Sequence, residues 1–161
     1  MDTRTLIKRS TILSLMILLI CSCAKKQSTS TDIEMIHLAE TFKEQFEQQN
    51  LSMVELRNDY YICLYCDTTI YIVSCDSKII RRMNNQPEVV STNAKNDRYL
   101  SDTLQSLLSI VEDVAYYKLT RVSVKSDSVR IEKKDEYHLT NIRPYPCSQY
   151  REVQLGWYVY E

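Results

Sequence analysis

The sequence predicts an α+β domain: a mostly antiparallel sheet packed with two helices, in the order helix, strands, helix, strands. Three observations carry this. Apolar residues recur at helical spacing in two separate stretches. Between and after them, runs rich in tyrosine and β-branched residues alternate in the manner of strands. These runs follow one another too closely for the crossovers that parallel pairing requires.

The first helix is expected over Asp32 to about Gln49. Thr31 and Glu34 have the spacing of a capping box, in which hydroxyl and carboxylate satisfy free amides at a helix start. Met35, Leu38, Ala39, Phe42 and Phe46 then fall on one face, the pattern of a helix laid against a sheet. Tyr60–Cys66 and Thr69–Cys75 read as a hairpin turning at Asp67-Thr68. A two-residue turn sets Leu64 against Tyr71 and Ile62 against Val73. Both faces of this hairpin are apolar, so it is expected to be covered on both sides or to curl round a core. Val54 and Leu56 lead into the region and Ile79-Ile80 continue it. Asn84 to Pro87 reads as a turn and Ser91 to Arg98 as a polar loop.

The second helix is expected over about Asp102–Tyr116, capped by Ser101 or Asp102. Leu104, Leu107, Leu108, Val111, Val114 and Ala115 form its apolar stripe. Thr120, Val122 and Val124 alternate, as do Val129 and Ile131 beyond a turn at Ser126-Asp127. That turn sets Val124 against Val129 and Val122 against Ile131. Tyr145-Pro-Cys147 breaks the chain, and Glu152 to Tyr160 reads as one alternating strand.

Length and composition bound the function. A chain of 161 residues, 44% hydrophobic, is sized for one domain. Gly156 is its only glycine. Glycine-rich phosphate loops, dinucleotide fingerprints and nucleophile elbows each need several, so all three are excluded.

The N-terminus reads as an address. Arg4, Lys8 and Arg9 precede an apolar run, Thr11–Ile20, that is too short to span a bilayer core needing about 20 residues. Ile20-Cys21-Ser22-Cys23 resembles a bacterial lipobox, with small Ser22 just before the modified cysteine, Cys23. The resemblance implies a signal peptide over 1–23, lipid attachment at Cys23, a polar tether over 24–31 and a single domain over 32–161. Two or more acyl chains hold a protein firmly on a membrane. Ala24 lacks the aspartate that retains such proteins at the inner membrane. The chain as a whole resembles a small Bacteroidota lipoprotein, which implies the outer membrane, facing the periplasm. Removal of the signal would leave 17 basic and 20 acidic residues. The bases are dispersed, so no nucleic-acid footprint forms.

Candidate chemistry is sparse. Cys63, Cys66, Cys75 and Cys147 are possible disulfide cysteines in an oxidising compartment. Cys63-x-x-Cys66 lies in a strand pattern rather than at a helix N-terminus, which argues against a redox pair. No paired spacing points to a metal site, and no cofactor is implied. Ser22-x-x-Lys25 matches a Ser/Lys nucleophile pattern, but lipoprotein cleavage would split it. A Ser/His or Cys/His pairing has only His37 and His138 to draw on. Tyr145, Tyr150, Trp157, Tyr158 and Tyr160 are a candidate aromatic surface for a sugar or peptide. Thr68, Thr103 and Ser128 each follow an aspartate in a pattern resembling the O-glycosylation sequon of exported Bacteroidota proteins.

The expectation is therefore a lipid-anchored envelope protein that is a non-enzymatic binding module for a protein, peptide or glycan. An envelope hydrolase or transferase is one alternative, requiring a cleft around His138 or His37. An inhibitor or immunity-type protein is the other, requiring a protruding loop over Asn84–Arg98.

Overall fold

Helix α1 (Ser30–Gln49) starts two residues earlier than its sequence pattern suggests. The capping box uses Thr29 and Asp32, two residues upstream of Thr31 and Glu34, with each side chain bonded to the other's backbone amide. The helix buries Met35, Ile36, Ala39, Phe42 and Phe46 and ends at Asn50, which takes a left-handed conformation. The computed structural model describes residues 29–83, 86–134, 137–143 and 149–160. The signal segment with Cys23, most of the tether, Tyr145 and Cys147 lie outside the described residues.

Five strands follow: β1 (Leu51–Arg57), β2 (Tyr60–Tyr65), β3 (Ile70–Ser74), β4 (Ile79–Met83) and β5 (Gln86–Ser91). A short 3-10 turn, Ala94–Asn96, leads to α2 (Asp102–Tyr116). A second series follows: β6 (Leu119–Lys125), β7 (Ser128–Lys133), β8 (Tyr137–Thr140), β9 (Tyr150–Gln154) and β10 (Trp157–Tyr160). All ten described strands form one antiparallel sheet in the order β5-β4-β3-β2-β1-β6-β7-β8-β10-β9. The α+β class and the order of elements are as the sequence predicts. Each half is a helix followed by five strands, and the halves meet where β1 pairs with β6.

Both helices pack on the same face of this sheet. That face contributes Val54, Cys63, Val73, Ile79, Val122, Ile131 and Leu139 to a core shared with Phe42, Phe46, Leu107 and Val114. Strand side chains alternate in direction, so every second residue points away from the helices. The other face carries Ile62, Leu64, Ile70 and Ile72 of β2 and β3, each only half-buried. The expected second covering layer is therefore replaced by an open face.

The β2–β3 hairpin also corrects the expected register. Leu64 pairs with Ile70 and Ile62 with Ile72, one residue away from a two-residue turn. The loop is Cys66-Asp67-Thr68, closed by the Tyr65 amide on the Thr69 carbonyl at 2.9 Å. Thr68 takes the left-handed conformation (φ 71°) that a three-residue hairpin places at its last position. A slip of one residue exchanges the faces of the partner strand, so Tyr71 and Val73 now join Tyr61 and Cys63 beneath the helices. The β6–β7 hairpin keeps its expected pairs, Val124 with Val129 and Val122 with Ile131.

Two further segments differ from expectation. Gln86 and Pro87 belong to β5 rather than to a turn; proline is tolerated because β5 is an edge strand that pairs only with β4. The single strand expected over Glu152–Tyr160 is the β9–β10 hairpin, reversed at Leu155-Gly156. Gly156 has φ 78°, and an added Cβ would meet nothing within 4 Å. The cost of Gly156→Ala is therefore purely conformational. It should lower unfolding free energy by about 1 kcal/mol, read as a shift in the urea midpoint at unchanged slope.

Candidate functional site

Hydrogen-bonded register orders the open face into two rows that run across all ten strands. One row reads Val89, Ile80, Ile72, Ile62, Glu55, Arg121, Glu132, His138, Tyr160, Tyr150 from β5 to β9. The next reads Pro87, Arg82, Ile70, Leu64, Met53, Ser123, Arg130, Thr140, Tyr158, Glu152. The face is thus apolar over β2–β5, charged across the centre and aromatic over β8–β10.

The charged centre is organised within strands. Glu55 pairs with Arg57 and Glu132 with Arg130, each at 2.8 Å. Two-residue separation puts both members of each pair on the open face.

Beside the Arg130–Glu132 pair the face is concave. A groove of about 400 Å³ is lined by Ser123, Lys125, Ser128, Arg130, His138, Thr140 and Tyr150, with Val129 and Ile142. The His138 ring lies 5.5 Å from that of Tyr160, and Tyr160 meets Tyr150 edge-to-face at 5.4 Å. The three rings brace one another across β8, β10 and β9, which fixes the aromatic wall. Ser128 donates its hydroxyl to the Lys125 carbonyl at 2.6 Å, and Thr140 accepts from the Ile142 amide at 3.2 Å. Among the described residues no carboxylate lies within 4.0 Å of the Lys125 ammonium.

Of the aromatic residues singled out in the sequence, Tyr150, Tyr158 and Tyr160 share the open face. Trp157 does not: it is buried in the core beneath the helices. Alternation within β10 sends the indole inward with Val159, while Tyr158 and Tyr160 point to the open face. His37 stands apart on exposed helix surface, 3.6 Å from Glu40. Thr68 and Thr103 are exposed, whereas Ser128 is half-buried in the groove wall.

Over its described part, the Asn84–Arg98 segment named for an inhibitor-type reading is the edge strand β5 followed by a turn tied back to the domain. β5 is paired to β4, Ser91 bonds Asp97 at 2.8 Å, and Ala94 is buried. Among the described residues no three His, Cys, Asp or Glu side chains converge as metal ligands. Nor is any helix there long and apolar enough to cross a membrane.

Cys63, Cys66 and Cys75 are free thiols. Cys63 is sealed in the core and burial pushes its thiol pKa well up, which disfavours the reactive thiolate. Cys66 and Cys75 are exposed at opposite ends of the β2–β3 hairpin, the first bonded to Asn50 and the second to Asp59. Maleimide labelling followed by peptide mapping should therefore modify Cys66 and Cys75 in the folded protein. Cys63 should react only after denaturation.

His138 and the tyrosines stand out in the sequence by residue type, whereas Lys125, Arg130, Ser123 and Thr140 do not. Their signal was the β6–β7 register already legible there, which places Ser123 beside Arg130 and Lys125 beside Ser128. Comparison of the chain with protein-family models, with curated proteins and with solved structures finds no match.

Proposed function

We propose that this chain is a lipid-anchored protein of the cell envelope, fastened through Cys23 to the outer membrane and facing the periplasm. It is a binding module that holds a saccharide in the groove beside His138. The groove supplies the cleft the hydrolase alternative requires, but among the described residues no carboxylate or hydroxyl is hydrogen-bonded to the His138 ring. The observation that carries the binding reading is the one-sided sheet. Helices cover one face; the other presents a hydroxyl-rich groove with a wall of braced tyrosines. Its volume of about 400 Å³ falls within the range of small-ligand sites.

The strands beneath the groove favour a sugar over a peptide. β6, β7 and β8 are interior strands whose edges are already paired, so an extended peptide cannot add to the sheet there. Sugar hydroxyls match Ser123, Thr140 and Tyr150, and a sugar ring face suits an aromatic wall. The lipid reading is supported by the Ile20-Cys21-Ser22-Cys23 motif.

Each half of the proposal has its own test. Intact mass of the detergent-extracted native protein should show a chain beginning at Cys23 and carrying diacylglycerol and a further acyl chain. A chain still beginning at Met1 and free of lipid would remove the anchor. For the groove, full-length protein in detergent is titrated with neutral and uronic-acid oligosaccharides, followed by calorimetry. Binding by at least one member, weakened about tenfold by Tyr150→Ala, supports the saccharide reading. No binding by any member refutes it.

A further inference from the structure

Resting on that reading, we infer that the saccharide is acidic, and that Lys125 is the residue that selects its carboxylate. The groove holds three nitrogen-bearing side chains, Lys125, Arg130 and His138. One carboxylate, Glu132, reaches this cluster, and it is committed to the Nε of Arg130 at 2.8 Å. Lys125 stands at the end of β6, where no described carboxylate answers its charge. Asp127, two residues on, has its carboxylate 3.9 Å from Lys43, which also holds Glu47 at 3.3 Å.

Among the described residues Lys125 is thus the groove cation with no carboxylate in direct contact, on the opposite side of the groove from the tyrosine wall. A neutral sugar would use the hydroxyls and the ring and leave the ammonium idle. An acidic oligosaccharide would use all three, with one sugar ring on the tyrosine wall and the carboxylate of another unit on Lys125 across the groove. A charge-assisted hydrogen bond to that carboxylate is stronger than any neutral contact the groove offers. Glu132 and Glu152 lie in the neighbouring rows. Glu132 is spent on Arg130, so Glu152 on β9 is the carboxylate that repels an anion straying from the Lys125 end, which sets the direction of the bound oligosaccharide.

The test compares three probes on the full-length protein at low ionic strength: an oligogalacturonate, its neutral galactose counterpart, and a short glutamate peptide of equal charge. The oligogalacturonate should bind about fivefold more tightly than the neutral oligomer, the scale of an exposed charge pair, and added salt should erase the difference. Lys125→Gln should remove the preference and Lys125→Arg should restore it. Lys95→Gln, on the helix face and paired to Glu112 at 3.0 Å, serves as the control for general charge. Equal binding of acidic and neutral oligomers overturns the inference while the saccharide reading stands. A preference that survives Lys125→Gln overturns the assignment of Lys125. Tighter binding of the glutamate peptide than of either sugar overturns both, as does the failure of every probe to bind.

Discussion

Val73→Asp should remove much of the protein's stability, whereas Ile72→Asp, one residue earlier on the same strand, should cost far less. Val73 is 2% exposed and packs in the core beneath the helices. A carboxylate there loses its hydration without gaining a partner, and the penalty is about 4 kcal/mol or more. A typical domain of this size has only about 5–15 kcal/mol to lose. Ile72 sits on the open face between Ile62 and Ile80. Its carboxylate would turn toward solvent, and the cost is the half-buried side chain it replaces, about 1–2 kcal/mol. Urea unfolding followed by far-UV circular dichroism reads both. Equal destabilisation by the two substitutions would mean that both faces of β3 are covered, and the open binding face would not exist.

That pair of substitutions also marks where the sequence was legible and where it was not. The bounds of helix α2 could be read because its stripe is regular, although Ile110 rather than Ala115 joins the buried face and Ser101 makes no side-chain cap. The β6–β7 hairpin could be read to the register because only one face is apolar, so only one alignment buries it. The β2–β3 hairpin could not. Ile62, Leu64, Ile70 and Ile72 are as apolar as Tyr61, Cys63 and Val73, so hydrophobicity does not choose between two alignments one residue apart. The choice falls to the turn, and Thr68 in a left-handed conformation is a weak signal beside an asparagine or glycine. β5 was hidden for a related reason. An edge strand has one paired side, is exposed over most of its length, and carries a proline that ordinarily marks a turn.

The candidate groove was legible only in pieces. His138, Tyr150 and Tyr160 stood out by residue type, but their assembly depends on β10 lying between β8 and β9. Grouping aromatic residues by type alone puts Trp157 in the same surface as Tyr158 and Tyr160, an arrangement that strand alternation itself forbids. The single glycine was the missed clue: Gly156 is the point at which the chain reverses. Lys125 was missed because an exposed lysine at a turn has no signature of its own. It acquires meaning only from the neighbours that pairing across β6, β7 and β8 supplies.

Asp32→Ala should cost about 3 kcal/mol, the scale of breaking a buried ion pair by removing one partner. The Asp32 side chain is 4% exposed, and Arg151 of β9 reaches it at 3.4 Å. Tyr137 of β8 donates its hydroxyl to the same carboxylate at 3.3 Å, and the Thr29 amide donates at 3.0 Å. One carboxylate thus joins the start of α1 to two strands of the far half of the sheet. It also sets where the chain enters the domain. Burial alone would raise the pKa of Asp32, but the hydrogen bonds from Thr29 and the bond and charge of Arg151 outweigh it, so the pKa lies below the usual 3.8. A carboxylate held low in the folded state binds its proton more readily when the chain unfolds. Its contribution is therefore complete well above pH 3.8 and disappears as pH falls through the lower, folded value. Wild type and Asp32→Ala should differ most near neutrality and converge in acid. Arg151→Met should reproduce part of the loss, and combining the two substitutions should cost less than their sum. Parallel pH dependence of the two proteins down to the acid transition would show that Asp32 is a helix cap alone and carries no charge across the core.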